Sequence, residues 1–239
     1  MDFEDNSGEI EDVAFIGLGV MGYPMAGHLA SKGYNVTVYN RTTSRVTQWL
    51  EQHPGRSAST PREAAEGAQV VCACVGNDDD LSEITTGEDG AFLGLAPGAI
   101  FIDHTTASAH IARHLSDVCG PMGASFLDAP VSGGQAGAEN GVLTVMVGGE
   151  EQIFKQVLPI ISSYARKSEW MGQAGNGQLT KMVNQICIAG LLQGLSEGIN
   201  FARNADLDVQ AVLDVISKGA AQSWQIVNPG KTMQQDQIE

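Results

Sequence analysis

Residues 12–22 read DVAFIGLGVMG: an apolar run of strand length that ends in three glycines, Gly17, Gly19 and Gly22. From Pro24 the residues PMAGHLASKG have the spacing of a helix. In a turn from strand to helix, Gly17 permits the tight bend. Gly19 lets a pyrophosphate approach the backbone, and Gly22 lets helix and strand pack closely. Phosphates there meet free amide N–H groups and the positive end of the helix dipole. A glycine turn can also be a plain connection. The strand before it and the helix after it make residues 17–22 (Gly17, Leu18, Gly19, Val20, Met21, Gly22) a dinucleotide-binding candidate.

The same alternation continues outward. Strand-like runs recur at YNVTVYN, AQVVCACV, AIFID, ASFLD and VLTVMV, with helical patterns between them at TSRVTQWLEQH, PREAAEG and SAHIARHLSDV. Apolar strands separated by helices predict a parallel sheet covered on both faces. EEQIFKQVLPIISSYA reads as a further helix and SEWMG as a last short strand. After the loop QAGNG the strand signals stop. QLTKMVNQICIAGLLQGLSEGINFARNA and DLDVQAVLDVISKG are then read as helices, the second with Asp206 or Asp208 as N-cap and Gly219 as its stop. The expected organisation is an acidic tail over residues 1–11, an α/β sheet domain over 12–172 and a helical domain over 173–239.

Composition narrows the function classes. A formal net charge of −15 argues against nucleic acid and anionic membranes, because nothing would displace phosphate counterions. No apolar run is long enough to span a bilayer, and MDFEDNSGEIED lacks the apolar core of a signal peptide. Cys72 and Cys74 alternate along a strand and Cys187 falls in an apolar helix, so the four cysteines read as small core residues in a reducing cytoplasm.

The second strand ends at Tyr39. An NAD site usually carries Asp or Glu there for the ribose 2′-hydroxyl. Asn40, Arg41 and Thr42 stand there instead. A missing carboxylate together with an Arg favours the 2′-phosphate of NADP, with a solvated arginine and NAD as the alternative. Farther on, DAPVSGGQAGAENG (128–141) reads as a loop between strands. Ser132, Gly133 and Gly134 offer a hydroxyl and unencumbered N–H groups. They could form an anion nest for a carboxylate, or simply an irregular loop that needs glycine dihedrals.

Taken together, VAFIGLGVMGYPMAGHLASKGYNVTVYNRT, DHTTAS, DAPVSGG and GNGQLTKMVNQ resemble the β-hydroxyacid dehydrogenase family over about residues 12 to 235. That family includes 3-hydroxyisobutyrate dehydrogenase, tartronate semialdehyde reductase and glyoxylate/succinic semialdehyde reductase. The resemblance implies a Rossmann-like, mostly parallel sheet domain and an all-helical domain like that of 6-phosphogluconate dehydrogenase. It also implies a homo-oligomer and an active site between the two domains. The family's helices continue beyond the point matching Glu239 and carry a second lysine there, so the helical domain is expected to be incomplete. The same resemblance assigns cofactor contacts to Val75 and Gly76, where the family often has Leu-Pro, and to Thr105 and Thr106. It assigns the substrate carboxylate to Ser132, Gly133 and Gly134, and the catalytic lysine to Lys181. Asn184 and Gln185 fill the positions where the family often carries a substrate-contacting Asn.

Lys181 also stands out by itself. A cation near a helix N-terminus opposes the dipole, so helix stability does not explain it. Lys181, Asn184 and Gln185 share one helical face. The implied reaction is hydride transfer between NADP(H) and a small anionic aldehyde acid or hydroxy acid, with Lys181 giving or taking the proton. Two other readings stay open: an NAD-linked 3-hydroxyisobutyrate dehydrogenase, and an NADP-binding protein of impaired catalysis. His110 and His114, four apart, lack a third ligand and read as a solvated face, so no metal is expected.

Overall fold

A computed structural model describes residues 10–227; the first nine residues and the polar ending from Asn228, with Lys231, lie outside them. In chain order the first elements are β1 (Asp12–Ile16), α1 (Gly22–Ser31), β2 (Asn35–Tyr39), α2 (Thr43–Gln52), β3 (Arg56–Ser57) and α3 (Pro61–Ala65). Then come β4 (Val70–Ala73), α4 (Asp78–Thr86), β5 (Ile100–Asp103), α5 (Ala109–Cys119), β6 (Ser125–Asp128), β7 (Val131–Ser132) and α6 (Gly134–Glu139). The chain continues with β8 (Leu143–Val147), α7 (Glu151–Ile161), β9 (Ala165–Trp170), α8 (Asn176–Asn204), α9 (Val209–Ile216) and α10 (Trp224–Val227). The described residues form two compact units, which divide between Lys181 and Met182.

In the first unit six strands make a parallel sheet of order β3-β2-β1-β4-β5-β6. This is the doubly wound Rossmann order, with the connections reversing direction beside β1. Alternate residues of each strand face opposite sides. Val13 and Phe15 join one buried cluster with Met25, Leu29 and Trp49, and Ala14 and Ile16 join another with Leu81, Phe101 and Leu115. Both faces are therefore covered, as the apolar strands require.

Register matters most for the site. Ile16 pairs with Tyr39 and with Ala73, Ala73 with Asp103, and Asp103 with Asp128. The carboxyl ends of five strands thus form one row, and the residues after them open together on one edge. A three-stranded sheet, β7-β8-β9, follows, and an Asp128–Gly148 bridge joins it to the first.

Two expectations need correction. Residues 128–141 are not a loop: Val131 and Ser132 pair with Val145 and Thr144, and α6 starts at Gly134. The two-residue strand is too short to show periodicity, and the glycines of α6 disguise a helix. Cys187 is exposed. The second unit buries only Leu195, Ile199, Leu213 and Ile226 in its apolar cluster, so other apolar positions of α8, Val183, Ile186 and Phe201 among them, remain outside. Asp208 is the N-cap of α9, accepting from the N–H groups of Gln210 and Ala211. Among the described residues no helix is long and apolar enough to cross a membrane.

Candidate active site

At the carboxyl edge the glycine turn behaves as its sequence demands. Gly17 has φ +96°, and a side chain there would collide with the Cys74 carbonyl. A side chain at Gly22 would strike the Gly17 carbonyl. Gly19 is exposed, with no atom within 4 Å of where a Cβ would stand. The N-terminus of α1 has no side-chain cap and no acid in its first turn. The Tyr23 N–H donates to the Gly19 carbonyl (3.0 Å) and Pro24 has no N–H, so the Gly22 N–H is the one in this first turn left for an external anion. A cleft of about 740 Å³ opens here, within the range of small-molecule sites. Gly17, Gly19, Val20, Met21, Gly22, Asn40, Arg41, Thr42, Val75 and Gly76 all line it. These residues fit a dinucleotide: an open glycine, an uncapped helix and the switch point of the sheet coincide.

Four of the predicted contacts, Leu18, Asn40, Arg41 and Thr42, are partly engaged within the protein. The Leu18 N–H donates to Asn40 Oδ1 (2.8 Å), and Asn40 Nδ2 donates to the Thr42 carbonyl (3.1 Å). Asn40 thus braces the glycine turn. Arg41 is mostly exposed and lies 3.3 Å from Asp80 Oδ1. Asp80, Glu83, Glu88 and Asp89 also line the cleft. The sequence does not single these acids out: Asp80 and Glu83 lie on α4, which carries too few apolar residues to show a helical face, and Glu88 and Asp89 follow it in the turn after the helix.

Thr105, Thr106, Ser132, Gly133, Gly134 and Lys181 are not among the residues lining that cleft. Thr105 is buried and its Oγ1 accepts from the Val75 N–H (3.0 Å), so it supports the cleft wall from behind; Thr106 is exposed. Ser132 is half-buried, while Gly133 and Gly134 are exposed with φ +138° and +62°, conformations that favour glycine.

Lys181 sits in the second turn of α8 and is only 8% exposed. No hydrogen bond or ion pair among the described residues engages its ammonium. Burial lowers its pKa from the ordinary lysine value. Asn184 and Gln185 follow on α8 in the second unit, where Asn184 Nδ2 donates to Gln185 Oε1 (3.1 Å).

What holds the start of α8 is a buried polar set that the sequence reading did not identify. Asp128 accepts from the Gly175 N–H (2.7 Å) and the Gln178 N–H (2.9 Å), capping the helix from another strand. Gln178, fully buried, donates through Nε2 to the Thr105 carbonyl (2.7 Å) and accepts at Oε1 from the Ala107 N–H (3.1 Å). Asp103 Oδ1 accepts from the Thr105 N–H (2.9 Å), while Oδ2 has no partner among the described residues. Burial pushes the Asp103 carboxyl up to about 7, so its neutral form is well populated near neutrality. That form tolerates an unpaired buried oxygen better than an anion would. Their only sequence signal was position: both aspartates directly end apolar strands.

The histidines are peripheral to this chemistry. His104 Nδ1 is 2.7 Å from the Ala129 carbonyl, which only accepts, so Nδ1 carries the proton and Nε2 accepts from the Tyr164 hydroxyl (2.8 Å). Burial lowers the His104 pKa to about 4, keeping the ring neutral. His110 and His114 are exposed, and no metal-binding cluster occurs among the described residues.

Known proteins share this organisation. Residues 12–172 match the model for the NAD binding domain of 6-phosphogluconate dehydrogenase. Residues 175–238 match the one for the NAD-binding of NADP-dependent 3-hydroxyisobutyrate dehydrogenase. An oxidoreductase of Shewanella frigidimarina (strain NCIMB 400) is 60% identical over 95% of this chain and 78% of its own length. The 2-hydroxy-3-oxopropionate reductase of Escherichia coli (strain K12) is 33% identical over 88% of this chain and 72% of its own. Among solved structures, Mycobacterium tuberculosis 3-hydroxyisobutyrate dehydrogenase with L-serine superposes with a TM-score of 0.84 at 28% identity. That match covers 92% of this chain and 74% of the other.

Proposed function

The chain belongs to the β-hydroxyacid dehydrogenase family of oxidoreductases, and we propose that it transfers hydride between NADP(H) and a small aldehyde acid or β-hydroxy acid. The observation that carries the proposal is Lys181: a buried lysine, unpaired among the described residues, whose pKa is lowered by desolvation. Groups of that kind cluster where proton transfer happens. The reduced dinucleotide, when bound along Gly17–Gly22, supplies the hydride. As the aldehyde oxygen gains negative charge, the Lys181 ammonium stabilises it and then donates its proton. In the oxidative direction a neutral Lys181 takes the hydroxyl proton, and desolvation makes that form accessible.

The substrate carboxylate is assigned to Ser132, Gly133 and Gly134, whose glycine dihedrals and exposure suit an anion nest. Either Asn184 or Gln185, three and four residues beyond Lys181, is assigned to the polar contact with the substrate. Preference for NADP rests on Arg41 and on the absence of an acid at the end of β2.

A fluorescence titration with NADPH and NADH, followed by turnover on glyoxylate, succinic semialdehyde and tartronate semialdehyde, tests the reading. Tighter NADPH binding and NADPH consumption with at least one of these acids are expected. Binding of NADPH without turnover of any would leave a nucleotide-binding protein. Equal affinities would remove the NADP assignment.

A further inference from the structure

Among the described residues the proton donor proposed above has no side-chain partner that fixes it. Its position depends on how the start of α8 is held, and beside the Asp128 cap one further side chain shares that holding. The Gln178 amide bridges two backbone groups of a single segment, the Thr105 carbonyl at 2.7 Å and the Ala107 N–H at 3.1 Å. One partner only accepts and the other only donates, so the amide has one satisfactory orientation. Thr105 in turn accepts, at Oγ1, from the N–H of Val75, which lines the dinucleotide cleft. The Gln178 N–H donates to Asp128. Hydrogen bonds therefore link the cleft wall to Thr105, and the Thr105 backbone through buried Gln178 to the helix start. Lys181 lies three residues beyond Gln178, on the same helical face.

We propose that Gln178 is a positioning residue that locks the first turns of α8, and with them Lys181, to the Thr105–Ala107 segment behind the dinucleotide cleft. The amide is not a catalytic group: it touches backbone only. Its task is to hold the proton donor in fixed relation to the wall against which the cofactor lies. Small displacements of a reacting group are expensive in rate, about 10²-fold for roughly 1 Å. A fully buried amide with both ends satisfied is a stiff support, and an apolar replacement would leave two buried backbone groups unpaired.

This inference rests on Lys181 being the proton donor, so the test needs one readout that does not require turnover. Gln178→Met keeps the length and bulk of the side chain and removes both hydrogen bonds. Gln178→Glu keeps the acceptor toward Ala107 and loses the donor toward Thr105 unless its carboxyl is protonated. Three measurements on the full chain are compared with the parent protein: the pH dependence of Lys181 acylation by acetic anhydride, read by mass spectrometry; the NADPH dissociation constant; and kcat with its primary deuterium isotope effect. For Gln178→Met the acylation profile of Lys181 is expected to move toward that of an ordinary solvated lysine. NADPH affinity should stay within about twofold, and kcat should fall by about 10–100-fold with a larger isotope effect as hydride transfer becomes limiting. Relative to the parent protein at each pH, Gln178→Glu should regain kcat as the pH falls, because only its protonated form donates to Thr105.

A fall in kcat with an unchanged isotope effect and an unchanged acylation profile would mean a smaller folded fraction and would overturn the inference. So would wild-type kinetics in Gln178→Met. If the parent protein reduces none of the aldehyde acids but the Lys181 profile still moves, the enzymatic reading falls and the positioning role stands. If the parent protein turns over and the profile stays still, the positioning role falls alone.

Discussion

Two helix starts in this molecule face the same problem and resolve it oppositely. At α1 and at α8 the first N–H groups have no partner within their own helix. At α1 the Gly22 N–H is left open, although the Gly19 carbonyl takes the Tyr23 N–H: the side-chain cap is absent, no acid stands in the first turn, and Gly19 leaves the approach clear. At α8 they are filled from within, because the Asp128 carboxylate takes the Gly175 and Gln178 N–H groups. One helix dipole is kept for a ligand and the other is spent on architecture. The difference explains how a lysine can be buried near a helix start: the internal carboxylate compensates the end of α8, and Lys181 is fixed beyond it.

The sharpest way to break this division of labour is to remove the reacting group alone. Lys181→Ala should lower turnover by about 10²–10⁴-fold, the usual loss for a general acid, with NADPH binding retained. Lys181→Arg should not restore the rate, because Arg keeps the charge but is too weak an acid. Steady-state rates beside a fluorescence titration check both. A variant that keeps most of its turnover would mean that the proton comes from elsewhere.

Exchanging the two anchors gives the next effect. Asp128→Ala leaves buried N–H groups unpaired and should lower folding stability by about 3 kcal/mol. Gly19→Ala meets no atom, so its stability should stay within about 0.5 kcal/mol while NADPH binds about tenfold more weakly. Denaturant midpoints and titrations separate the two; a large folding cost at Gly19 would show that the α1 start is not simply open. Smallest is the change at Arg41, whose exposed pairing with Asp80 is worth little by itself. Arg41→Ala should weaken NADPH by up to about tenfold and leave NADH nearly unchanged. Asp80→Asn, by freeing Arg41, should shift the preference the other way.

The same two regions show why one was legible in the sequence and the other only in part. The glycine turn is a local device: three glycines at fixed spacing between a strand and a helix carry their reasons within a few residues. Strand and helix alternation is local as well, which is why the parallel sheet follows from periodicity. The support of Lys181 is not local. Asp103, Asp128 and Gln178 are far apart in the chain and meet only because the sheet register aligns Ala73, Asp103 and Asp128 along one edge. Lys181 could be singled out by its chemistry, but its helix cap and its latch could not. Cys187 failed for a related reason: an apolar run indicates a helix without telling which side is covered.

The pH dependence of both reaction directions tests the central claim most directly. Burial holds the Lys181 pKa below its ordinary value. Reduction needs the protonated amine, so its kcat should fall as pH rises through that depressed pKa. Oxidation needs the neutral amine, so its kcat should rise through the same pKa. Both limbs should vanish in Lys181→Ala. Limbs that survive that substitution, or rates flat with pH in both directions, would contradict the account of Lys181 as the group that gives and takes the proton.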